Sequence, residues 1–160
     1  MIEDLIPIDT IGDIKLNRSN ISIPSSLRYF KKLGFILLVL KKCSYAKKAS
    51  VLKLQFFNWA FASTENLAKF HKIVSSSTVV SEDSIHLDPA INRTIEFAIS
   101  EKFLSIDNNG KIELTENGIE LADKIIDSEN ILNTELERLE NIGRRVSEKQ
   151  LKVIFEKITG

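Results

Sequence analysis

The stretch FLSIDNNGKIELTENG, Phe103 to Gly118, decides the fold. Leu104, Ile106, Ile112 and Leu114 alternate with polar residues on either side of Asp107-Asn108-Asn109-Gly110. Alternation at period two marks strands with one buried face, and the four central residues are types that tolerate the left-handed backbone of a tight turn. The spacing predicts a β-hairpin whose turn residues all supply left-handed angles. Thr115 then caps a helix running to about Asp127, with Glu116 well placed near the positive end of the helix dipole. Gly118 lowers helix propensity by about 1 kcal/mol, so its presence in the first turn predicts close packing against the hairpin.

Upstream, Asp88-Pro89 is a strong helix start, because the carboxylate accepts from orphan amides and proline fits the first helical position. That helix continues to about Lys102, with Ile91, Ile95, Ala98 and Ile99 inward and Asn92, Arg93, Glu96, Ser100 and Glu101 outward. Further back, Ser25 and Ser26 can cap a helix in which Leu27, Phe30, Leu33, Leu37 and Leu40 recur at spacings of three and four, widened by Phe35, Ile36, Leu38 and Val39. A helix this apolar belongs at the centre of a core. After a turn at 43–48, a second helix spans about Ala49 to Ala62, carrying Val51, Leu52, Leu54, Phe56, Phe57, Trp59 and Phe61; a third runs from Ser63 or Thr64 to about Val74. The polar stretch SSSTVVSEDS reads as a mobile loop inserted between scaffold elements. Residues 1–24 lack helical periodicity and read as an extended arm. Beyond Ser128, Thr134-x-x-Glu137 and Ser147-x-x-Gln150 are capping boxes, each opening a short amphipathic helix, with Gly143 between them.

The expected fold class is therefore mainly α with a small β-hairpin. It divides into an N-terminal arm (1–25), a central domain (26–127) and an appended C-terminal helical hairpin (128–160). A chain of 160 residues with 43% hydrophobic content can bury one sizeable core. Cys43 is the single cysteine, which excludes an intramolecular disulfide and fits a reducing compartment. The N-terminus is acidic where a secretory signal would be basic, and the apolar run Leu33 to Leu40 is too short to span a bilayer, so a soluble cytoplasmic protein with no membrane association is expected.

Net charge is zero, with 22 basic and 22 acidic residues, yet residues 1–80 hold 12 basic against 5 acidic and residues 81–160 hold 10 against 17. The halves carry +7 and −7. Such asymmetry fits either two faces with different partners or halves that attract each other within the fold.

The order helix, helix, helix, hairpin, helix resembles a winged-helix domain over residues 26–127, and Leu114-Thr115-Glu116-Asn117-Gly118 looks like the LTxxG segment that closes many wings. A narrower likeness covers nearly the whole chain. The long apolar first helix, FFNWAFASTENLAKF, DPAINRTIEFAISEKFL, LTENG and NTELERLENIGRRVSEKQLKVIF are together similar to middle components of bacterial ABC three-component systems, including the small subunit of Lamassu-type anti-phage complexes. That resemblance implies a subunit without catalytic residues or cofactors, held between an SMC-like ATPase and an effector, often a nuclease. The alternative is a dimeric winged-helix DNA-binding transcriptional regulator; on the leading reading a homodimer is the less favoured state.

A DNA reader needs basic and amide side chains on its recognition helix. Between Pro89 and Lys102 the outward cations are Arg93 and Lys102, opposed by Glu96 and Glu101, and the wing offers only Lys111 beside Asp107 and Glu113. Positive charge collects instead at Lys31, Lys32, Lys41, Lys42, Lys47, Lys48 and Lys53. The DNA-proximal candidates are therefore Lys41, Lys42, Lys47, Lys48, Lys53, Arg93 and Lys111, for sequence-independent contact within a complex. Equally, lysines at 41 and 42 compensate the negative end of the first helix.

His71 and His86 stand fifteen positions apart with no cysteine or clustered acid at metal spacing, so no metal site is expected. Cys43 sits among lysines that favour thiolate but has no evident base, which makes it structural. Neither a nucleophile elbow nor a glycine-rich phosphate loop is present, and the expectation is no enzyme. The partner-interface candidates are Phe56, Phe57, Trp59 and Phe61 on the second helix, with Leu136, Leu139, Ile142, Leu151 and Phe155 on the C-terminal helices.

Overall fold

A computed structural model describes residues 25–76, 85–128 and 130–159. Its elements in chain order are α1 (Ser25–Lys42), a 3₁₀ turn (Tyr45–Lys47), β1 (Lys48–Ala49), α2 (Val51–Ala60), α3 (Thr64–Ser76), α4 (Pro89–Ser100), β2 (Leu104–Ile106), β3 (Ile112–Leu114), α5 (Glu116–Asp127), α6 (Asn133–Ile142) and α7 (Glu148–Thr159). The chain is mostly helical, with one small antiparallel sheet. The expected arm at 1–24 and most of the expected loop, 77–84, lie outside the described residues.

In α1, every residue from Leu33 to Leu40 is buried. An all-round apolar helix must be enclosed on every side, and α4, α5, α6, α2 and β3 all pack on it. The core is continuous from Phe30 to Ile154.

The hairpin is flanked by a third strand that sequence periodicity missed. β1 pairs antiparallel with β3 through Lys48↔Glu113 and Ala49↔Ile112, giving the order β1-β3-β2. Two residues are too few for an alternation pattern, so the second helix, expected from about Ala49, starts two residues later, at Val51 behind Ser50, whose hydroxyl accepts from the Lys53 amide at 3.1 Å.

Gly110 alone in the DNNG turn has positive φ, at 81°. Asp107, Asn108 and Asn109 do not supply left-handed angles as expected. Instead the Asp107 carboxylate accepts from the amides of Asn109 and Lys111, at 2.8 and 2.9 Å, while Gly110 N–H donates to the Asp107 carbonyl. An Asx turn closed by one glycine does the work of four left-handed residues.

α4 begins as its sequence requires, with the Asp88 carboxylate accepting from Ala90 N–H at 2.9 Å. The Gln55 side chain of α2 clamps this start from both directions, donating to the Asp88 carbonyl and accepting from its N–H, each at 2.9 Å. Lys32 of α1 adds an ion pair to Asp88 at 2.7 Å. Three helices are thereby fixed at one point.

The C-terminal helices do not form an appended hairpin. α6 packs on α1 and α7 on α2, burying Leu139, Ile142, Leu151 and Ile154 in the common core. Helices this short need such a surface in water. Thr134 is not a cap: α6 starts at Asn133 behind Leu132, which adopts φ 56°, and no side chain caps it. Ser147 does cap α7, accepting from Gln150 N–H at 3.1 Å, but Gln150 turns away from the reciprocal bond and donates to the Val74 carbonyl of α3 at 2.7 Å. Tertiary contact displaced the local box.

Gly118 is buried where α5 crosses the entry to β2. A Cβ there would collide with the backbone oxygen of Phe103 and lie 3.1 Å from a Leu114 methyl. Gly118→Ala should therefore destabilise the fold by about 1–3 kcal/mol, the usual range for overpacking, although alanine is the better helix former. Thermal or denaturant unfolding that shows the variant equal to or more stable than the parent would refute the close approach.

Candidate ligand pocket beside the hairpin turn

One pocket brings together residues from widely separated parts of the chain. It has a volume of about 420 Å³ and is lined by Cys43, Tyr45, Ala46, Lys48 and Lys53 from the α1–α2 region, Asp107, Asn109 and Lys111 from the hairpin turn, and Arg144, Val146, Ser147 and Glu148 from the α6–α7 connection.

Lys48 stands on β1 and reaches across the sheet, 3.3 Å from Asp107 and 3.6 Å from Glu113. The hydrogen bond that Lys48 donates to Asp107, then the charge of Glu113, raises the Lys48 pKa. The Asp107 carboxyl is held below its ordinary value first by the Lys111 amide, then by the Asn109 amide and Lys48, against the opposing effect of burial. Glu148 accepts from Ser50 N–H at 3.1 Å and from the Ser50 hydroxyl at 2.6 Å, so a carboxylate of α7 covers the positive N-terminus of α2.

Lys53 lies at the pocket floor, only 3% exposed. Its ammonium donates to the Cys43 carbonyl at 2.6 Å and the Val146 carbonyl at 3.0 Å. Burial lowers its pKa; Glu148 and Cys43 oppose that shift, and Lys111 reinforces it. Its expected availability to DNA is corrected by this placement. The side chain is an internal strut joining the end of α1 to the α6–α7 connection.

The remaining DNA-proximal candidates separate. Lys41 pairs with Asp123 of α5. Lys42 is half-buried and outside the pocket, and Lys47 is exposed on the 3₁₀ turn; among the described residues neither makes an ion pair. Arg93 is exposed on α4, where its carbonyl accepts from the Tyr29 hydroxyl at 2.9 Å. Lys48, Lys53 and Lys111 share the pocket; Lys41, Lys42 and Arg93 do not.

Sequence reading missed Tyr45, Arg144 and Glu148 as neighbours of these lysines. The Arg144-Arg145 pair after Gly143 was a visible signal, but nothing local could say that it folds back to the hairpin. Tyr45 is 81% exposed. It begins a turn in which Ala46 and Lys47 adopt φ 55° and 58°. Left-handed backbone costs an L-residue other than Gly about 1–2 kcal/mol, so two in succession mark a strained turn at the pocket mouth.

The aromatic docking surface is corrected too. Phe56, Phe57 and Trp59 are at most 3% exposed. Phe56 stacks on Trp59 at 5.8 Å and meets Phe70 at 5.0 Å and the edge of Phe155 at 5.8 Å. Phe61 is half-buried, 4.9 Å from Phe35. Leu139, Ile142 and Leu151 are buried, with Leu136 and Phe155 half-buried at the edge of the same core. The chain's own C-terminal helices occupy the apolar surface that sequence analysis reserved for partners.

Among the described residues, no three His, Cys, Asp or Glu side chains converge to hold a metal ion, and no helix is long and apolar enough to cross a membrane. Comparison with protein-family models, curated proteins and solved structures gives no match.

Cys43 is fully buried, its thiol donating to the Leu139 carbonyl at 3.3 Å. Burial raises its pKa from 9.0 to about 12, and the charge of Lys53 only partly opposes this. A raised value means that the thiol's contribution to stability is complete below pH 9.0 and is lost as pH rises toward about 12. The native protein should resist Ellman's reagent at about pH 8 while denatured chain reacts at once. Rapid labelling of the native chain would contradict the buried thiol.

Proposed function

We propose that this chain is a non-catalytic accessory subunit, built on a winged-helix-like domain, that joins an SMC-like ABC ATPase to an effector such as a nuclease in a prokaryotic anti-phage or anti-plasmid defence complex. The strand order β1-β3-β2, with α1 before β1, α2 to α4 between β1 and β2, and the DNNG turn as wing, supports the winged-helix reading. The defence-complex reading rests on the sequence resemblance.

One observation carries the choice of an accessory role over duplex reading. The two surfaces with which such a domain would read DNA are occupied by carboxylates. On the outer face of α4, Glu96 is exposed beside Arg93. On the hairpin, Asp107 and Glu113 engage Lys48. The carboxylate on α4, without an ion pair among the described residues, repels the phosphates of a duplex laid along that helix, and on the hairpin a lysine already paired offers little counterion release.

The test is mass and DNA selectivity of the purified chain, together with co-expression from its native gene neighbourhood. The expected result is a monomer with no preferred duplex, which co-purifies with a large coiled-coil ATPase. A stable homodimer binding one duplex sequence at least about 1,000-fold more tightly than random DNA, the margin typical of specific regulators, would replace the accessory reading with that of a transcriptional regulator.

A further inference from the structure

The volume of about 420 Å³ beside the hairpin turn lies within the usual range for small-ligand sites, roughly 300–1,000 Å³. Four cations line it, Lys48, Lys53, Lys111 and Arg144, against two carboxylates. Both carboxylates are engaged inward: Asp107 with Lys48 and two turn amides, Glu148 with Ser50. Lys53 is held by two carbonyls. Lys111 and Arg144 remain, brought to one concavity from the hairpin and from the α6–α7 connection, and among the described residues neither has an ion pair.

A concave surface with surplus positive charge favours a compact anion, and guanidinium with ammonium is a strong donor pair for phosphate oxygens. Tyr45, 81% exposed on its strained turn, supplies a free aromatic face at the mouth of the same pocket. Cations that hold a backbone phosphate and an aromatic ring that stacks a base are the two elements of sequence-tolerant single-strand binding. A pocket of this size admits one such unit and excludes a duplex.

We propose that this pocket binds a nucleotide unit, with Lys111 and Arg144 on its phosphate and Tyr45 stacked on its base. The unit is supplied either as a free mononucleotide or within single-stranded nucleic acid. The inference stands on the pocket alone and is independent of the accessory-subunit reading.

Fluorescence anisotropy with a 3′-labelled oligothymidylate about ten nucleotides long, within the site sizes of single-strand binders, and calorimetric titration with thymidine monophosphate test it on the full chain. Salt should be about 50 mM, where phosphate contacts are strong. Binding of the oligonucleotide alone assigns the source to single strands, whereas binding of both probes assigns it to the nucleotide itself. In either case Lys111→Ala with Arg144→Ala should weaken binding at least tenfold, and Tyr45→Ala by roughly tenfold, with Tyr45→Phe retaining affinity. These side chains lie outside the core, and circular dichroism verifies that each variant folds. Failure of both probes to bind the parent, or unchanged affinity in the folded double variant, would overturn the assignment.

Discussion

The enclosure of α1 governs the rest of the structure. Eight consecutive buried positions, Leu33 to Leu40, leave this helix no face for water. Two neighbouring helices and a hairpin cover only part of such a cylinder, so the chain must bring further apolar surface to it. α5 and α6 supply that surface. Their commitment to α1 explains why the C-terminal region joins the common core, and why Leu139 and Ile142 face inward instead of toward a partner.

Charge follows the same geometry. The basic first half and acidic second half meet through Lys32–Asp88, Lys41–Asp123, Lys48–Asp107 and Lys48–Glu113, each pair joining residues 1–80 to residues 81–160. Of the two readings of the charge asymmetry, mutual attraction within the fold therefore accounts for a substantial part. Partly solvated pairs of this kind contribute little each where water screens them, typically under about 1 kcal/mol. Their effect is on orientation: each pair fixes which edge of one element faces which edge of another. Buried polar groups act more stringently, since a lost partner leaves a desolvated dipole. Among the described residues no buried side-chain nitrogen or oxygen lacks a partner.

Local signals in the sequence read well where local physics decides the structure. Asp88-Pro89, the alternation around the DNNG turn, Thr115 as a cap and the close approach at Gly118 were all legible, because each depends on residues within a few positions of one another. Gln150 was misread because a tertiary contact outweighed its local pattern, and Thr134 because the helix already starts at Asn133, behind a left-handed Leu132. β1 was invisible at two residues, its strand character coming entirely from pairing with β3. The pocket was half legible: the lysines stood out as charge, but the convergence of Lys111 and Arg144 depends on contacts between residues far apart in sequence. Lys53 shows the limit most clearly, since nothing in its neighbours tells a buried strut from a solvated cation.

That strut also determines how the pocket relates to the fold. Lys53 holds the Cys43 carbonyl on one side and the Val146 carbonyl on the other, while Glu148 reaches over to Ser50. The walls on which Tyr45 and Arg144 stand are therefore joined only while the α6–α7 connection is docked. A ligand spanning both walls binds the docked state in preference to any state in which that connection has opened. By mass action it would stabilise the C-terminal helices against the core in proportion to its occupancy. Covering α1 and assembling the pocket are thus consequences of one docking event.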